Sequence, residues 1–277
     1  MSARAIAVGT FDGVHLGHRR VIESAQDAGL RTAVVTFDPH PRIALGNRVE
    51  LLTTLERRIE LLRELGVDDV RVVPFTSDLA LSTPEEFVDA ELRPLDATVV
   101  AAGENFRFGR GRSGDLDTLE RLGFDVRRVP LVDGVSSSRI RQLIAAGEVA
   151  GAAKLLGRPP EVEGTVVAGD ARGGTLGYPT ANLTVPRELI VPGYGIYAGQ
   201  VGDHRSAISI GVNPHYGGDE LRVEAFLLDF AGDLYGQRLI VELWQRLREE
   251  RAFGSEQELI DQIGRDVEAA RAATRPA

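Results

Sequence analysis

Cysteine is absent from this chain of 277 residues, lysine occurs once and histidine occurs only five times. The lack of cysteine excludes disulfides, thiolate zinc sites, iron–sulfur clusters and cysteine nucleophiles. A Walker A loop requires lysine followed by serine or threonine, and the single lysine, Lys154, lies in AAKLLGR, so the chain has no P-loop. Phosphate groups must therefore be bound by arginine, histidine, backbone amides or a metal ion.

Long apolar runs are also missing. No run approaches the roughly 18 residues of a membrane-spanning helix, and the amino terminus has no basic stretch followed by an apolar one. These absences predict a cytoplasmic protein without a membrane partner. The net charge of −9 and the pI near 5.2 argue against non-specific nucleic-acid binding. The length favours two domains, each with its own core.

Segments typical of strands and helices alternate over the first half of the chain. Strands are predicted for AIAVGTF, RTAVVTF, VRVVPF and ATVVAAG, with helical spacing between them. The clearest helix is LERRIELLRELG, an amphipathic segment with Leu55, Ile59, Leu62 and Leu65 on one face. Such alternation predicts a parallel sheet with helices on both faces, which is an α/β domain.

The pattern changes after the Pro-Pro step in GRPPEVEG. Six strand-like segments separated by turn residues follow, and they predict an antiparallel barrel or sandwich. The segment SEQELIDQIGRDVEAARAA predicts a closing helix with Ser255 as its cap and Glu258 completing a capping box. We place the boundary near residue 158, with one domain over 1–157 and the other over 158–277.

The first candidate site is GTFDGVHLGH, residues 9–18, which connects a predicted strand to a predicted helix. Ligands bind at the carboxyl ends of parallel strands, and a helix amino terminus there suits phosphate. Gly13 and Gly17 let a ligand approach the backbone, and His15 and His18 project from one side of the first turn. The histidines fit phosphate contacts best. Two alternatives stay open, a zinc site completed by His40 or Asp12 and a purely structural pair.

Three later segments have both functional and ordinary interpretations. VSSSRIR, residues 135–141, places serines and an arginine at the start of a helix, where they bind phosphate or act only as a cap. GENFRFGRGRSGD is a ligand-binding loop or only a flexible basic one. FDPHP is a nucleotide contact through His40 or only a rigid turn.

Taken together, these segments resemble the HxGH nucleotidyltransferase superfamily, and TFDPHP and GENFRFGRGRSGD resemble the adenylyltransferase module of bifunctional riboflavin kinase/FAD synthetases. The resemblance implies a Rossmann-like domain that joins FMN to the α-phosphorus of ATP and releases pyrophosphate. It implies the following contacts: His15, His18 and Arg141 in catalysis, Gly9, Phe11, Asp12, Gly17, Ser137 and Ser138 with the nucleotide, and Asn105 with the flavin.

The second candidate site combines GTLGYPTANL with LRVEAFLLDF. Thr180 and Asn182 point to one face if the segment is extended, and two neutral oxygens suit Mg²⁺, although a Thr/Asn turn after Pro179 fits equally well. Glu224 shares its strand face with large apolar groups, while the opposite face is also apolar, so its direction is undecided. A carboxylate there is functional or forms a salt bridge with Arg222 or Arg248.

PTAN resembles the signature of riboflavin kinases. The resemblance implies a β-barrel ending in a helix, with Glu224 as the base for the riboflavin hydroxyl, Thr180 and Asn182 as Mg²⁺ ligands, Gly177 near the nucleotide and Arg248 near the flavin. Gly174 stands where many relatives have arginine, which puts kinase strength in question.

The full resemblance implies an enzyme that phosphorylates riboflavin and then adenylylates FMN, with ATP as co-substrate and Mg²⁺ as cofactor. Its partners are then small molecules. Three alternatives stay open: an enzyme with one active module, a flavin-binding sensor without turnover, and a different adenylyl or cytidylyl transferase.

Overall fold

The computed structural model describes residues 3–168, 178–212 and 221–276. Within these ranges the chain divides into two compact units, Met1–Ser137 and Ser138–Ala277. Each unit is described by itself below.

The first unit is built on a five-stranded parallel sheet in the order β3-β2-β1-β4-β5. Its strands are β1 (Arg4–Val8), β2 (Arg31–Asp38), β3 (Asp69–Pro74), β4 (Ala97–Gly103) and β5 (Asp125–Val129). The α-helices of this unit are α1 (Leu16–Gln26), α2 (Pro41–Ala44), α3 (Leu55–Glu64), α4 (Ser77–Leu81), α5 (Pro84–Phe87) and α6 (Leu116–Arg121). The helix α5 continues as a π-helical turn over Val88–Leu92, and short 3₁₀ turns occupy Arg93–Leu95 and Arg110–Arg112.

The apolar strand segments explain this layered arrangement. In β2 the six residues Thr32–Phe37 are buried, as expected for a strand covered on both faces. Side chains on the two faces of the sheet contribute to separate apolar clusters, one including Ile6, Val35 and Val100 and the other Ala7, Val34 and Ala101. The predicted parallel α/β fold is therefore confirmed.

Helix α3 forms as predicted, and it also buries a charged residue that its apolar pattern does not include. The buried side chains are Arg58, Leu61 and Leu62, whereas Leu55, Ile59 and Leu65 are only half-buried. Arg58 points inwards and donates hydrogen bonds to the Thr36 hydroxyl and the Phe37 carbonyl of β2. The face of α3 that packs against the sheet therefore includes a charged residue.

The second unit contains a closed antiparallel barrel with the strand order β10-β7-β6-β11-β8-β9, in which β9 also pairs with β10. Its strands are β6 (Glu161–Val167), β7 (Ala181–Thr184), β8 (Gly195–Val201), β9 (His204–Val212), β10 (Leu221–Leu227) and β11 (Arg238–Arg248). The helices α7 (Ser137–Ala145), α8 (Val149–Leu156) and α9 (Glu256–Ala272) complete the described structure, with α7 beginning at the last residue of the first unit. The predicted barrel with a final helix is confirmed.

Alternation along β10 identifies the interior of the barrel. Val223, Ala225 and Leu227 lie in its apolar core, while Glu224 and Phe226 are half-buried on the outer face. Val149 of α8 packs against the same core cluster. Side chains alternate across a strand, so Glu224 points out of the barrel. The sequence alone did not decide this direction.

The cap of α9 matches its prediction in one bond and differs in the other. The Ser255 hydroxyl accepts from the Glu258 backbone N–H, as predicted for an N-cap. The Glu258 carboxylate accepts from the N–H of Gly254 at 3.0 Å, one residue before the cap. The carboxylate therefore supports the preceding loop instead of closing the reciprocal capping box.

In the three described ranges, none of the helices combines the length and the apolar character needed to cross a membrane.

Candidate active sites

The segment between β1 and α1 lies at the point where the strand order of the parallel sheet reverses. β1 pairs with β2 on one side and with β4 on the other, so the chain order reverses next to its carboxyl end. Open parallel sheets bind ligands at this point. GTFDGVHLGH runs across the position, and the amino end of α1 opens onto it.

This segment has an unusual backbone. Phe11 and Val14 adopt positive φ angles of 50° and 41°, although neither is glycine. A β-branched residue in this region is strained, and such strain is concentrated at functional sites. A hydrogen bond from the Val14 N–H to the Phe11 carbonyl closes the turn at 3.0 Å. Gly13, with φ of 80°, lies against Leu52, because a Cβ atom there would come within 2.6 Å of that side chain.

Asp12 fastens the segment to the start of α3. Its side chain is fully buried, and one carboxylate oxygen accepts from the backbone N–H groups of Leu52 and Thr53 at 2.9 and 3.2 Å. The Thr53 hydroxyl in turn accepts from the Gly13 N–H at 3.2 Å. The predicted nucleotide contact at Asp12 is thus placed in the interior, where it shapes the loop.

His15 and His18 form a stacked pair, with ring centroids 3.6 Å apart and planes inclined by 13°. His15 caps α1, since its Nδ1 accepts from the backbone N–H of His18 at 3.3 Å. A Cβ atom on Gly17 would come within 3.2 Å of the His15 ring, so the glycine allows this ring to fold over the helix end. The structure brings the two predicted histidines together on one side of the first turn.

The surroundings of His18 favour a neutral ring. Burial lowers its pKa well below the ordinary value, and the nearby His15 and Arg58 lower it further. The edge of Phe11 contacts the ring at a centroid distance of 5.2 Å. A neutral imidazole already carries one N–H donor, so His18 can donate to a phosphate oxygen without first gaining a proton.

The serine motif approaches the first loop through Ser137. Its hydroxyl donates to the backbone carbonyl of Asp12 at 3.3 Å. Ser138 is exposed and Arg141 is half-buried, one turn further along α7. The ordinary interpretation of Ser137 as a simple helix cap misses this contact, which joins two segments 125 residues apart in the sequence.

Asn105 follows the carboxyl end of β4 and is exposed. Beside it, the half-buried Phe106 ring stacks on Phe108 at 5.5 Å with an angle of 16° between the planes. An aromatic face next to an amide is suited to a flat, polar-edged ring. The motif predicts the asparagine contact, whereas the pairing of the two rings is visible only in the folded loop.

His40, a further candidate for the nucleotide site, is buried at the end of β2. Its Nδ1 accepts from the Arg42 N–H at 3.1 Å and caps α2. Among the described residues, no cluster of three or more histidine, aspartate or glutamate side chains is placed to hold a metal ion, and so the zinc alternative for His15, His18, His40 and Asp12 has no support.

On the barrel, Asn182 and Glu224 lie directly opposite each other in the ladder between β7 and β10. Asn182 donates through Nδ2 to the backbone carbonyl of Thr180 at 3.4 Å, and Thr180 directly precedes β7. Ser209 faces Glu224 from the other neighbouring strand, β9. The structure therefore gathers the predicted magnesium ligands and the predicted base on one part of the outer surface of the barrel.

Charged groups flank Glu224. Arg222 lies 3.9 Å from its carboxylate, a long ion pair between side chains that are both partly exposed. Arg222 is also opposite Gly211 on β9, and the carboxylate of Glu250 packs against Gly211. Burial raises the pKa of Glu250, and the positive charge of Arg248 opposes this shift. Sequence analysis did not select Glu250.

Arg248, the predicted flavin contact, is held by helix α9. Its guanidinium binds the Asp266 carboxylate through Nε and Nη2, with distances of 3.0 and 2.8 Å to Oδ2. Phe253 lies beneath the guanidinium, with its centroid 5.7 Å away. The ion pair and the ring fix the end of β11 against α9. Gly177, the remaining predicted contact, lies outside the described residues, as does Gly174.

Two open surface cavities lie away from the predicted residues. One, of about 610 Å³, is lined by residues of β3 to α5 and the following turn, including Thr76, Ser82 and Glu86. The other, of about 630 Å³, lies between Tyr178 and α9. Tyr178 also contacts Phe226, on the strand face of Glu224, at a centroid distance of 5.4 Å.

Comparisons with known proteins decide the family. The family model for FAD synthetase matches residues 1–141, and the model for riboflavin kinase matches residues 156–274. A bifunctional riboflavin kinase/FMN adenylyltransferase of Listeria monocytogenes is 38% identical over 97% of this chain and 92% of its own length. The chain belongs to the bifunctional riboflavin kinase/FMN adenylyltransferase family.

Other members of this family are similar to the chain over nearly its whole length. The protein of Escherichia coli strain K12 is 37% identical over 98% of this chain and 94% of its own, and that of Pseudomonas fluorescens is 39% identical over 97% and 92%. A crystal structure described as a macrolide-efflux protein from Streptococcus pneumoniae has a TM-score of 0.89 at 33% identity, covering 99% of this chain and 96% of its own.

Proposed function

We propose that this chain carries out both reactions named by its family, each with its own set of residues. In the first, ATP phosphorylates riboflavin to FMN and ADP is released. In the second, FMN is adenylylated to FAD and pyrophosphate is released. The observation that carries the proposal is that the chain has two separate groups of predicted site residues. His15 and His18 stack where the strand order of the sheet reverses, and Asn182 and Glu224 face each other on the barrel.

For adenylyl transfer, an oxygen of the FMN phosphate attacks the α-phosphorus of ATP. A new P–O bond forms, the bond to the β-phosphate oxygen breaks, and pyrophosphate carries away the electron pair. No protein nucleophile is needed, which agrees with a chain that has no cysteine. The residues act by positioning ATP and stabilising the growing charge on pyrophosphate.

Each predicted residue has a role in that step. His15 and His18 donate N–H groups to phosphate oxygens at the amino end of α1, where the helix dipole also favours negative charge. Ser137, Ser138 and Arg141 bind the β- and γ-phosphates at the start of α7. Gly9, Phe11, Asp12 and Gly17 shape the loop around the nucleotide, and His40 lines it. Asn105, supported by the stacked Phe106, contacts the flavin edge.

For the kinase reaction, Glu224 accepts the proton of the ribityl 5′-hydroxyl of riboflavin. That oxygen then attacks the γ-phosphorus of ATP, and the bond to the β-phosphate oxygen breaks to release ADP. The guanidinium of Arg222 lies 3.9 Å from this carboxylate. Arg248 faces the flavin, with its orientation set by Asp266.

The donor set next to Glu224 fits Mg²⁺. The Nδ2–H of Asn182 donates to the backbone carbonyl of Thr180, so the side-chain oxygen Oδ1 points away from that bond. Neutral oxygens of Asn182 and Thr180, with water and nucleotide phosphates, match the ligands that this ion prefers. When bound, Mg²⁺ neutralises the phosphate charge that would otherwise repel the attacking oxygen. The extent of the two catalytic domains, 1–157 and 158–277, and the cytoplasmic location stay predictions.

The decisive experiment is incubation of the purified chain with riboflavin, ATP and Mg²⁺, with flavins separated over time. We expect FMN to appear first and FAD to follow at its expense. Accumulation of FMN alone indicates a single active module, while flavin binding without turnover indicates a sensor, and either result contradicts the proposal. Supplying CTP in place of ATP tests a cytidylyl transferase.

A further inference from the structure

Arg58 of α3 is a fully buried arginine that the two reactions above do not use. Its side chain is 0% exposed, and its Nη1 donates to the Thr36 hydroxyl and the Phe37 carbonyl at 3.3 and 3.0 Å. Its Nε and Nη2 are also buried, and neither has a hydrogen-bond partner in the described residues. Buried charged groups normally have all of their donors satisfied, so this guanidinium has donors left for something else.

Arg58 is a permanent cation in the interior. Burial lowers its pKa, while the carboxylates of Asp12 and Asp38 raise it. Because the guanidinium is a very strong base, it stays charged at neutral pH despite this lowering of its pKa. Asp12 follows β1 and Asp38 ends β2, so this charge is held beside the loop that carries the histidine pair.

The Nδ1 atoms of His15 and His40 each accept a hydrogen bond, whereas Nδ1 of His18 has no donor among the described residues. Nδ1 of His15 accepts from the His18 N–H, and Nδ1 of His40 accepts from the Arg42 N–H. Each of these bonds leaves the hydrogen of a neutral ring on Nε2. Nδ1 of His18 is buried as well, but no described residue donates to it. The Thr36 hydroxyl, which accepts from Arg58, donates to the Thr10 carbonyl at 3.0 Å, and Phe11, the next residue, contacts the His18 ring at a centroid distance of 5.2 Å. These contacts connect the guanidinium to the loop against which His18 packs, and its charge also lowers the pKa of that ring.

We propose that Arg58 is a positioning residue for adenylyl transfer, and that its free guanidinium nitrogens donate across one buried water to Nδ1 of His18. This bond keeps the ring hydrogen of His18 on Nε2, as the helix N–H does for His15. Both stacked rings then present an Nε2–H to the triphosphate. Buried waters commonly connect polar groups that lack direct partners. The inference rests on the role proposed above for His18.

A purely structural role for Arg58 uses different atoms. The bonds of Nη1 to Thr36 and Phe37 tie α3 to β2, and an ammonium group can replace them together with the positive charge. Lysine lacks the second arm of the guanidinium fork, so it cannot hold β2 and donate towards His18 at once. The substitution Arg58→Lys therefore keeps the bonds that hold α3 against β2 and removes the hydrogen bond that would position the His18 ring.

The test uses the full chain with Arg58→Lys and Arg58→Met. Arg57→Lys on the same helix is the matched control, because Arg57 pairs with Glu60 and Glu64 at 3.0 and 2.9 Å. Steady-state kcat and KM are measured for adenylylation of FMN, and phosphorylation of riboflavin by the same preparation serves as the folding check. The ¹⁵N NMR signals of the five histidines report the protonation of each ring nitrogen.

For Arg58→Lys we expect kcat of adenylyl transfer to fall by about tenfold or more with little change in KM for ATP, while kinase activity is retained. For Arg58→Met we expect a loss on the order of 10²–10³, as for removal of a preorganised donor. In both variants the Nδ1 signal of His18 should move from that of an unprotonated nitrogen towards an average of two tautomers. Arg57→Lys should match the parent chain.

Wild-type kcat together with an unchanged His18 Nδ1 signal in Arg58→Lys would overturn the inference. If Arg58→Met does not fold, the lysine variant alone decides. Failure of the role proposed for His18 has a different signature, because His18→Gln would then retain FAD formation whatever the NMR signals of the Arg58 variants show. If the proposed function itself fails, the parent chain forms no FAD.

Discussion

Asn182 and Glu224 are paired residues in the antiparallel ladder of β7 and β10, so an amide and a carboxylate lie side by side on the outer face of the barrel. The relationship joins a proposed metal ligand with a proposed base across two strands that are distant in the sequence. It also separates the kinase residues from the apolar barrel core, which takes Val223 and Ala225. Function on this surface can therefore be changed without disturbing the packing.

Replacing Glu224 with glutamine tests its role as the base. Glutamine keeps the shape and removes the proton acceptor, so kcat for riboflavin phosphorylation should fall on the order of 10²–10⁴. Adenylylation of supplied FMN should be unchanged. The exposed Glu188→Gln is the control and should keep both activities. Full kinase activity in Glu224→Gln would remove the proposed base.

Metal dependence tests the neighbouring ligands. We expect Asn182→Ala to raise the Mg²⁺ concentration for half-maximal kinase rate on the order of 10–100-fold, comparable with the loss of other supporting contacts at metal sites. The Mg²⁺ dependence of adenylyl transfer should not change, since that reaction uses other residues. Excess EDTA should stop both reactions. Continued FMN production in excess chelator would contradict the Thr180 and Asn182 site.

The order and type of the main elements could be predicted because hydrophobic periodicity and turn residues are local properties. The direction of Glu224 could not, since both faces of β10 are apolar and only pairing with β7 and β9 selects the core face. Arg58 was missed for a related reason. Its burial depends on a hydroxyl and a carbonyl from β2, which no spacing rule within α3 reveals.

The same limit explains the interior of the first site. The motif predicted that His15 and His18 project together, because a spacing of three places side chains on one side of a helix. It did not predict that Asp12 turns inwards to accept two backbone N–H groups from the start of α3. Contacts between segments about 40 residues apart require the assembled fold.

Substitution of His18 separates the two reactions. His18→Gln should lower the rate of FAD formation on the order of 10²–10³ and leave FMN formation intact, because the histidine belongs to the first site alone. His204→Gln, on the barrel, is the matched histidine control and should retain adenylyl transfer. Product analysis after supply of either riboflavin or FMN makes the measurement. Equal loss of both reactions in His18→Gln would contradict two separate sites.

The lowered pKa of His18 also predicts how stability depends on pH. In the unfolded chain this histidine takes up a proton near pH 6.5, whereas the buried, folded ring resists protonation. The unfolded state therefore binds more protons at this histidine below that pH, and the contribution of His18 to the free energy of unfolding falls as pH drops from about 7 through 6.5 towards 5.5. Urea unfolding followed by circular dichroism at these pH values measures the loss.

Replacing His18 with glutamine removes this titration. The variant should lose less stability than the parent chain between pH 7 and 5.5, because its side chain binds no proton in either state. The only tryptophan, Trp244, is buried on β11, so its fluorescence follows the barrel separately. The difference between variant and parent should therefore be seen by circular dichroism and be smaller in tryptophan fluorescence. Identical pH dependence in the two chains would show that the folded ring titrates as freely as the unfolded one.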